Sequence, residues 1–182
     1  MFLFLAKIDV FQVTSGGFTR IRNPNTGNYI NVSPDQRSGG FFYNLGSIYR
    51  PLEETSYWTI NTMNENDLYS GSPITCGSNV SIMNTVHNVF IGSADGTRAD
   101  VFNINDLNTK WMVKCQSGRL WNSGAQVQFV NCQYQCYLTL DISTTDNNRK
   151  IPIKCDKSSI YSLWSAEEGL YFLESNTGGR VL

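Results

Sequence analysis

Three segments of the chain align with one another without a gap, and this threefold repetition limits the fold more than any other feature. Gly16 to Ile30 reads GGFTRIRNPNTGNYI, Gly77 to Ile91 reads GSNVSIMNTVHNVFI, and Gly124 to Leu138 reads GAQVQFVNCQYQCYL. Taking the shared asparagine as position 0 (Asn23, Asn84, Asn131), glycine stands at −7 (Gly16, Gly77, Gly124). Positions −4 (Thr19, Val80, Val127) and −2 (Ile21, Ile82, Phe129) differ by two, the strand period that sends both side chains to one face. Asparagine tolerates left-handed backbone and bonds to its own turn, so position 0 starts a hairpin turn. The aromatic at +6 (Tyr29, Phe90, Tyr137) and the aliphatic at +7 (Ile30, Ile91, Leu138) begin the return strand. Each unit later reaches a tryptophan preceded two residues earlier by a hydroxyl: Ser56 before Trp58, Thr109 before Trp111, Ser162 before Trp164.

No segment carries a capped helical stripe, and 19 asparagines and 15 glycines punctuate the chain at intervals suited to short strands and turns. The expectation is all-β, with three units of about four strands. A propeller typically needs at least four blades, and a sandwich has no reason for threefold repetition. A β-trefoil remains, in which small apolar positions close a barrel and the hairpins cap it. A chain of 182 residues is sized for one domain.

The unit G-x2-[TV]-x-φ-x-N-x5-[FY]-[IL] followed by [ST]-x-W resembles the MIR repeat. That repeat is shared by protein O-mannosyltransferases, inositol trisphosphate receptors and ryanodine receptors. The chain is most similar to stromal cell-derived factor 2-like proteins, through Val13-Thr14-Ser15-Gly16-Gly17, Ser56-Tyr57-Trp58, Pro73-Ile74-Thr75-Cys76-Gly77-Ser78, Asn84-Thr85-Val86-His87-Asn88, and Leu163-Trp164 on to Glu168-Gly169-Leu170-Tyr171-Phe172. The likeness covers about residues 12–173. It implies one MIR β-trefoil domain over residues 1–182, with repeats at about 12–62, 73–115 and 120–173. It also implies a monomeric, non-enzymatic accessory module of the endoplasmic reticulum lumen, or a secreted one. Its partners would be proteins or glycoproteins in quality-control complexes, Hsp40/Hsp70-type chaperones among them. Two alternatives stand beside this: the lumenal MIR domain of a protein O-mannosyltransferase, and a carbohydrate-binding β-trefoil.

Composition argues against several other functions. Fourteen Lys and Arg balance fifteen Asp and Glu with no basic run, which is a poor match for nucleic acid. No stretch approaches ~18 apolar residues, so no membrane insertion is expected. The apolar start, Met1 to Ala6, is short for a signal core and reads as an edge strand or a trimmed end, with a remnant of a targeting segment as the alternative. His87 is the sole histidine and falls in a hairpin turn, so neither a general base nor a metal site is expected; no cofactor is implied. The carboxylate pairs Glu53-Glu54 and Glu167-Glu168 read as solvated loop charges, and Arg20, Arg22 and Arg37 as a solvated strand face and loop. Ser56, Thr109 and Ser162 stand where ricin-type lectins carry the glutamine of Q-x-W, so Trp58, Trp111 and Trp164 read as core. Trp121, outside the repeat, is a packing residue or an exposed contact. The run Gly40-Phe41-Phe42-Tyr43 is a binding lip or a strand tucked under the barrel.

Five cysteines remain. In a trefoil unit the first and fourth strands run side by side. Cys76 at −8 and Cys115, four residues after Trp111, thus have their ends close enough for a disulfide. Related proteins place cysteines comparably, and two buried free thiols are the alternative. Cys132, Cys136 and Cys155 form an odd remainder with at least one free thiol and an open pairing. Two glycosylation sequons, Asn31-Val32-Ser33 and Asn79-Val80-Ser81, are expected to point their asparagines outward.

Overall fold

A computed structural model describes residues 11–34, 43–49, 54–63, 71–144 and 150–168. Its strands fall in three sets of four. The first set is β1 (Phe18–Arg22), β2 (Tyr29–Pro34), β3 (Tyr43–Ile48) and β4 (Trp58–Thr62). The second is β5 (Asn79–Asn84), β6 (Val89–Gly92), β7 (Asp100–Phe102) and β8 (Trp111–Cys115). The third is β9 (Gln126–Asn131), β10 (Tyr137–Leu140), β11 (Ile151–Asp156) and β12 (Trp164–Glu168).

Antiparallel pairing runs β1–β4, β4–β5, β5–β8, β8–β9, β9–β12 and back from β12 to β1, which closes a barrel with no free edge. The remaining strands pair as β2–β3, β6–β7 and β10–β11, one hairpin per unit. These hairpins also meet one another: β3 and β11 pair at Ser47–Ile151, and Arg98 bridges to Lys154. A closed barrel capped by three hairpins, with one unit repeated three times, is a β-trefoil.

The repeat positions account for the core. Positions −4, −2, 0 and +7 of every unit are buried, as are the three tryptophans. The indole of each tryptophan donates to the backbone carbonyl at +7 of its own unit: Trp58 to Ile30 at 3.1 Å, Trp111 to Ile91 at 2.8 Å and Trp164 to Leu138 at 2.8 Å. Each large apolar surface is thereby buried without stranding its N–H. The +6 aromatics are only half-buried and face outward, as alternation requires. Gly16, Gly77 and Gly124 have φ of 80°, 90° and 77°, a region that favours glycine. Their N–H groups donate to the carbonyls of Ile60, Val113 and Ala166, two residues past each tryptophan.

The base of the barrel corrects the reading of Trp121. Counted from Asn131 it stands at −10, the place of Val13 and Ile74 in the other units, and all three are fully buried. Their backbones form a cycle about the pseudo-threefold axis. Val13 N donates to the Trp121 carbonyl (2.8 Å), Trp121 N to Ile74 (2.9 Å), and Ile74 N to Val13 (2.8 Å). Trp121 therefore belongs to the repeat. Its ring meets Phe129 edge-on at 5.5 Å, and its indole N–H reaches the Ala125 carbonyl at 3.2 Å.

Candidate functional site

The hydroxyl before each tryptophan has a local task. In Asp106–Thr109 and Ser159–Ser162 it closes a capping box on a single 3₁₀ turn, with Thr109 Oγ1 accepting from Asp106 N and Ser162 Oγ from Ser159 N. This turn delivers the tryptophan into the barrel, so the three tryptophans are fully buried and offer no stacking platform for a sugar. The asparagines at position 0 are equally internal. Asn23, Asn84 and Asn131 each accept turn N–H groups through Oδ1, from Asn25 and Thr26, from His87, and from Gln133 and Tyr134 respectively.

Sulfur chemistry follows. Cys76 and Cys115 are joined with Cα atoms 5.5 Å apart, and Cys136 and Cys155 are joined at 5.3 Å, which leaves Cys132 as the free thiol. In the first unit the same two positions hold Ser15 and Thr62, which meet by a hydrogen bond between hydroxyls (3.2 Å). In the third, Ser123 bonds to the Ala166 carbonyl (3.2 Å). Burial, opposed by the neighbouring Lys110 charge, pushes the Cys132 thiol above its ordinary pKa. A thiol held protonated is a weak nucleophile.

His87 is not a solvated turn residue. It is half-buried with its ring 4.5 Å from that of Tyr43, and its Nε2 is shielded from solvent with no hydrogen-bond partner among the described residues. Tyr43 opens β3, whereas Gly40, Phe41 and Phe42 lie outside the described residues, as do Met1 to Ala6, Arg37, Glu53 and 169–182. Among the described residues no three His, Cys, Asp or Glu side chains converge to hold a metal, and no helix is long and apolar enough to cross a membrane.

Arg20 departs from the expected solvated face, whereas the Arg22 side chain is 42% exposed. The Arg20 guanidinium lies 4.6 Å over the Tyr57 ring and donates to its hydroxyl at 2.6 Å. Arg22 sits 5.9 Å over the Tyr29 ring and 3.9 Å from Glu167. Glu167 lies in β12 rather than a loop, and it accepts the Tyr29 hydroxyl at 2.9 Å. Burial, then this bond, raises the Tyr29 phenol above its usual pKa. Arg22, Tyr29 and Glu167 thus link β1, β2 and β12, and Arg20 links β1 to Tyr57 just ahead of β4.

Two concave surfaces among the described residues lie where hairpins of different units meet. The smaller, about 200 Å³, lies between β2–β3 and β11 and is lined by Asn31, Asn44, Ser47, Thr144, Lys150 and Ile151. The larger, about 610 Å³, lies between the second and third units and is lined by Thr97, Tyr134, Tyr137, Lys154, Asp156 and Lys157. Covalent and hydrogen bonds tie its walls together. The Cys136–Cys155 disulfide crosses its floor, Tyr134 donates to the Ala94 carbonyl, and Cys155 N donates to Thr97 at 3.2 Å. Lys154 is already paired with Asp156 (2.8 Å) and Asp141 (3.5 Å). Lys157 is exposed at the rim, and no hydrogen bond or ion pair engages its ammonium among the described residues. The cleft's lining side chains bring together no nucleophile and base.

The sequons separate as well. Both asparagines alternate outward next to buried neighbours, as expected, but Asn79 is exposed at the start of β5 while Asn31, between Ile30 and Val32, is half-buried and donates to Thr55 Oγ1 at 2.5 Å.

No protein-family model and no curated protein matches the sequence. Solved structures do match. A Caenorhabditis elegans protein of unknown function superimposes with a TM-score of 0.73 at 17% identity, over 89% of this chain and 98% of that one. The SDF2-like protein of Arabidopsis thaliana gives 0.73 at 15% identity, over 88% and 97%. The fold is shared with the SDF2-like protein. A further match, at TM-score 0.67 and 16% identity, is to the Saccharomyces cerevisiae protein O-mannosyltransferase Pmt1–Pmt2 complex bound to the sugar donor; it spans 91% of this chain but 27% of that one. At these identities the SDF2-like and Pmt likenesses establish the trefoil and leave the activity to be argued from the site.

Proposed function

We propose that the protein is a MIR-type β-trefoil module of the secretory pathway, one domain over residues 1–182, that binds protein or glycoprotein partners without catalysing a reaction. The observation that carries this reading is the pair of disulfides, Cys76–Cys115 and Cys136–Cys155. Such crosslinks persist where the environment is oxidising and are reduced in the cytosol. The endoplasmic reticulum lumen, or the exterior, is therefore the proposed location. The fold shared with an SDF2-like protein supports an accessory role in a chaperone complex. The cleft between the second and third units is the proposed contact surface, with Lys157 as its unpaired charge.

A second reading is favoured by one observation: nearly all of this chain superimposes on about a quarter of a protein O-mannosyltransferase chain. As the lumenal MIR domain of such an enzyme it would still bind rather than react. A carbohydrate-binding trefoil gains less support, because the tryptophans are buried.

The test is proximity labelling and crosslinking of the full chain in secretory cells, with Lys157→Glu as the cleft variant. Lumenal Hsp40/Hsp70-type chaperones or nascent glycoproteins should be captured by the wild type and lost with the variant. Exclusive capture of transmembrane mannosyltransferase subunits would favour the second reading. Recovery of the chain with all cysteines reduced would overturn the secretory assignment.

A further inference from the structure

The two sequons are equivalent in sequence and unlike in the fold. Asn79 opens β5 with an exposed side chain. Its Oδ1 accepts the Cys132 thiol at 3.3 Å, and no hydrogen bond engages its amide nitrogen among the described residues. The nitrogen that a glycan would occupy is the free one, and the thiol contact uses the oxygen that a glycan leaves intact. Asn31 is the reverse. Its Nδ2 is the engaged atom, donating to Thr55 Oγ1 at 2.5 Å, and its side chain lines the 200 Å³ cavity between β2–β3 and β11. A sugar on that nitrogen would break the Thr55 bond and crowd the concavity, walled by Asn44, Ser47 and Ile151, where the first unit meets the third.

We propose that the folded protein carries an N-linked glycan on Asn79 and none on Asn31. The inference rests on the secretory reading above, because only there does the chain meet the donor, a lipid diphosphate-linked oligosaccharide. In the transfer, Asn79 Nδ2 forms a bond to C1 of the first sugar. The bond from C1 to the diphosphate oxygen breaks, the lipid diphosphate leaves, and one amide proton passes to the transferase. Val80 and Ser81 are buried between β4 and β8 once the barrel closes, so transfer precedes folding. A chain modified at Asn79 can still fold, since the sugar projects from an exposed position. A chain modified at Asn31 cannot close the first hairpin on the third, and is removed from the folded pool.

The experiment expresses the full chain behind a cleavable signal peptide in a eukaryotic host, which guarantees entry to the lumen. The folded protein is then weighed before and after peptide N-glycosidase treatment. One core glycan should be present in the wild type and in Asn31→Gln. It should be absent in Asn79→Gln and in Ser81→Ala, which keeps Asn79 but breaks the sequon. No glycan on the leader-directed wild type, or a glycan that survives Asn79→Gln, overturns the proposal. The unaltered gene is expressed in parallel. If the leader-directed chain is glycosylated and the unaltered one is not, the site assignment stands and the secretory reading fails.

Discussion

Asn23 Nδ2 donates to the Leu163 carbonyl at 3.0 Å, joining the first hairpin of the chain to the turn that delivers its last tryptophan. The same amide reaches the Tyr161 carbonyl at 2.9 Å. Asn84 repeats the contact on Thr55 and Tyr57 of the first unit (3.1 and 3.0 Å), and Asn131 on Asn108 of the second (2.8 Å). Each unit therefore clasps its neighbour just ahead of the tryptophan, and the three clasps close a ring. The invariant asparagine is a fastener between units as well as a turn former.

Replacing Asn84 with alanine should be costly. The change removes its bonds to the part-buried Thr55 and Tyr57 carbonyls and to the His87 N–H, at ~1–3 kcal/mol for each group that is left unsatisfied. We expect a loss of about 3 kcal/mol in urea denaturation, since part of the deficit is recovered by water. A loss below about 1 kcal/mol would show that the clasp is dispensable.

The disulfides should rank by loop length. Cys76–Cys115 spans 39 residues and Cys136–Cys155 spans 19, which corresponds to about 4 and about 3 kcal/mol by chain entropy. The first unit suggests a finer test. Cys76→Ser with Cys115→Thr recreates the Ser15–Thr62 pair and should be more stable than the double alanine variant. Equal midpoints for the two variants would refute the equivalence of the sites.

Gly92 ends β6 where a side chain has no room. A Cβ there would sit 2.8 Å from the Phe102 ring and 2.9 Å from the Asn108 carbonyl, the same carbonyl that Asn131 uses. Gly92→Ala should destabilise by about 1–3 kcal/mol, because a backbone atom must give way. Hydrogen exchange should show the loss around β6–β7 and the Leu107–Thr109 turn.

Acid should weaken the Lys154 ion pairs slightly. The Lys154 ammonium holds the Asp156 carboxyl below its usual pKa, and the Ser143 hydroxyl followed by Lys154 does so for Asp141. Carboxyls depressed on folding contribute fully above their unfolded pKa and lose that contribution as pH falls through the folded value, here below about pH 4. Lys154 is raised, chiefly by Asp156, so its contribution is present at neutral pH and fades above about pH 10.4. All three groups are largely solvated, so the effect is small. Lys154→Met should flatten the acid limb of a stability–pH curve, and an unchanged limb would show that the pair is screened out.

The strands, the hairpin turns and the tryptophan positions were legible because each is written in local spacing. A two-residue alternation, an asparagine before four turn residues and a hydroxyl two before tryptophan all act within one unit. The Cys76–Cys115 pair could be argued once the trefoil was in hand, since strand neighbourhood follows from the fold. The signal missed was at −10: Val13 and Ile74 align with Trp121, but the change from aliphatic to aromatic hid the column. The two roles of Arg22, over Tyr29 and beside Glu167, were also out of reach, because its partners lie in two other strands.

What spacing alone established is the unit: a strand, an asparagine turn, a return strand and a tryptophan, three times over. What the closed barrel decided is which unit holds which. The Asn23 amide finds its partners 138 and 140 residues away, and the ring of Val13, Ile74 and Trp121 joins three distant segments. Those partners are backbone carbonyls and amides. Nearly every residue carries the same pair, so no side chain marks the ones that will be used, and only the geometry of the closed barrel selects them.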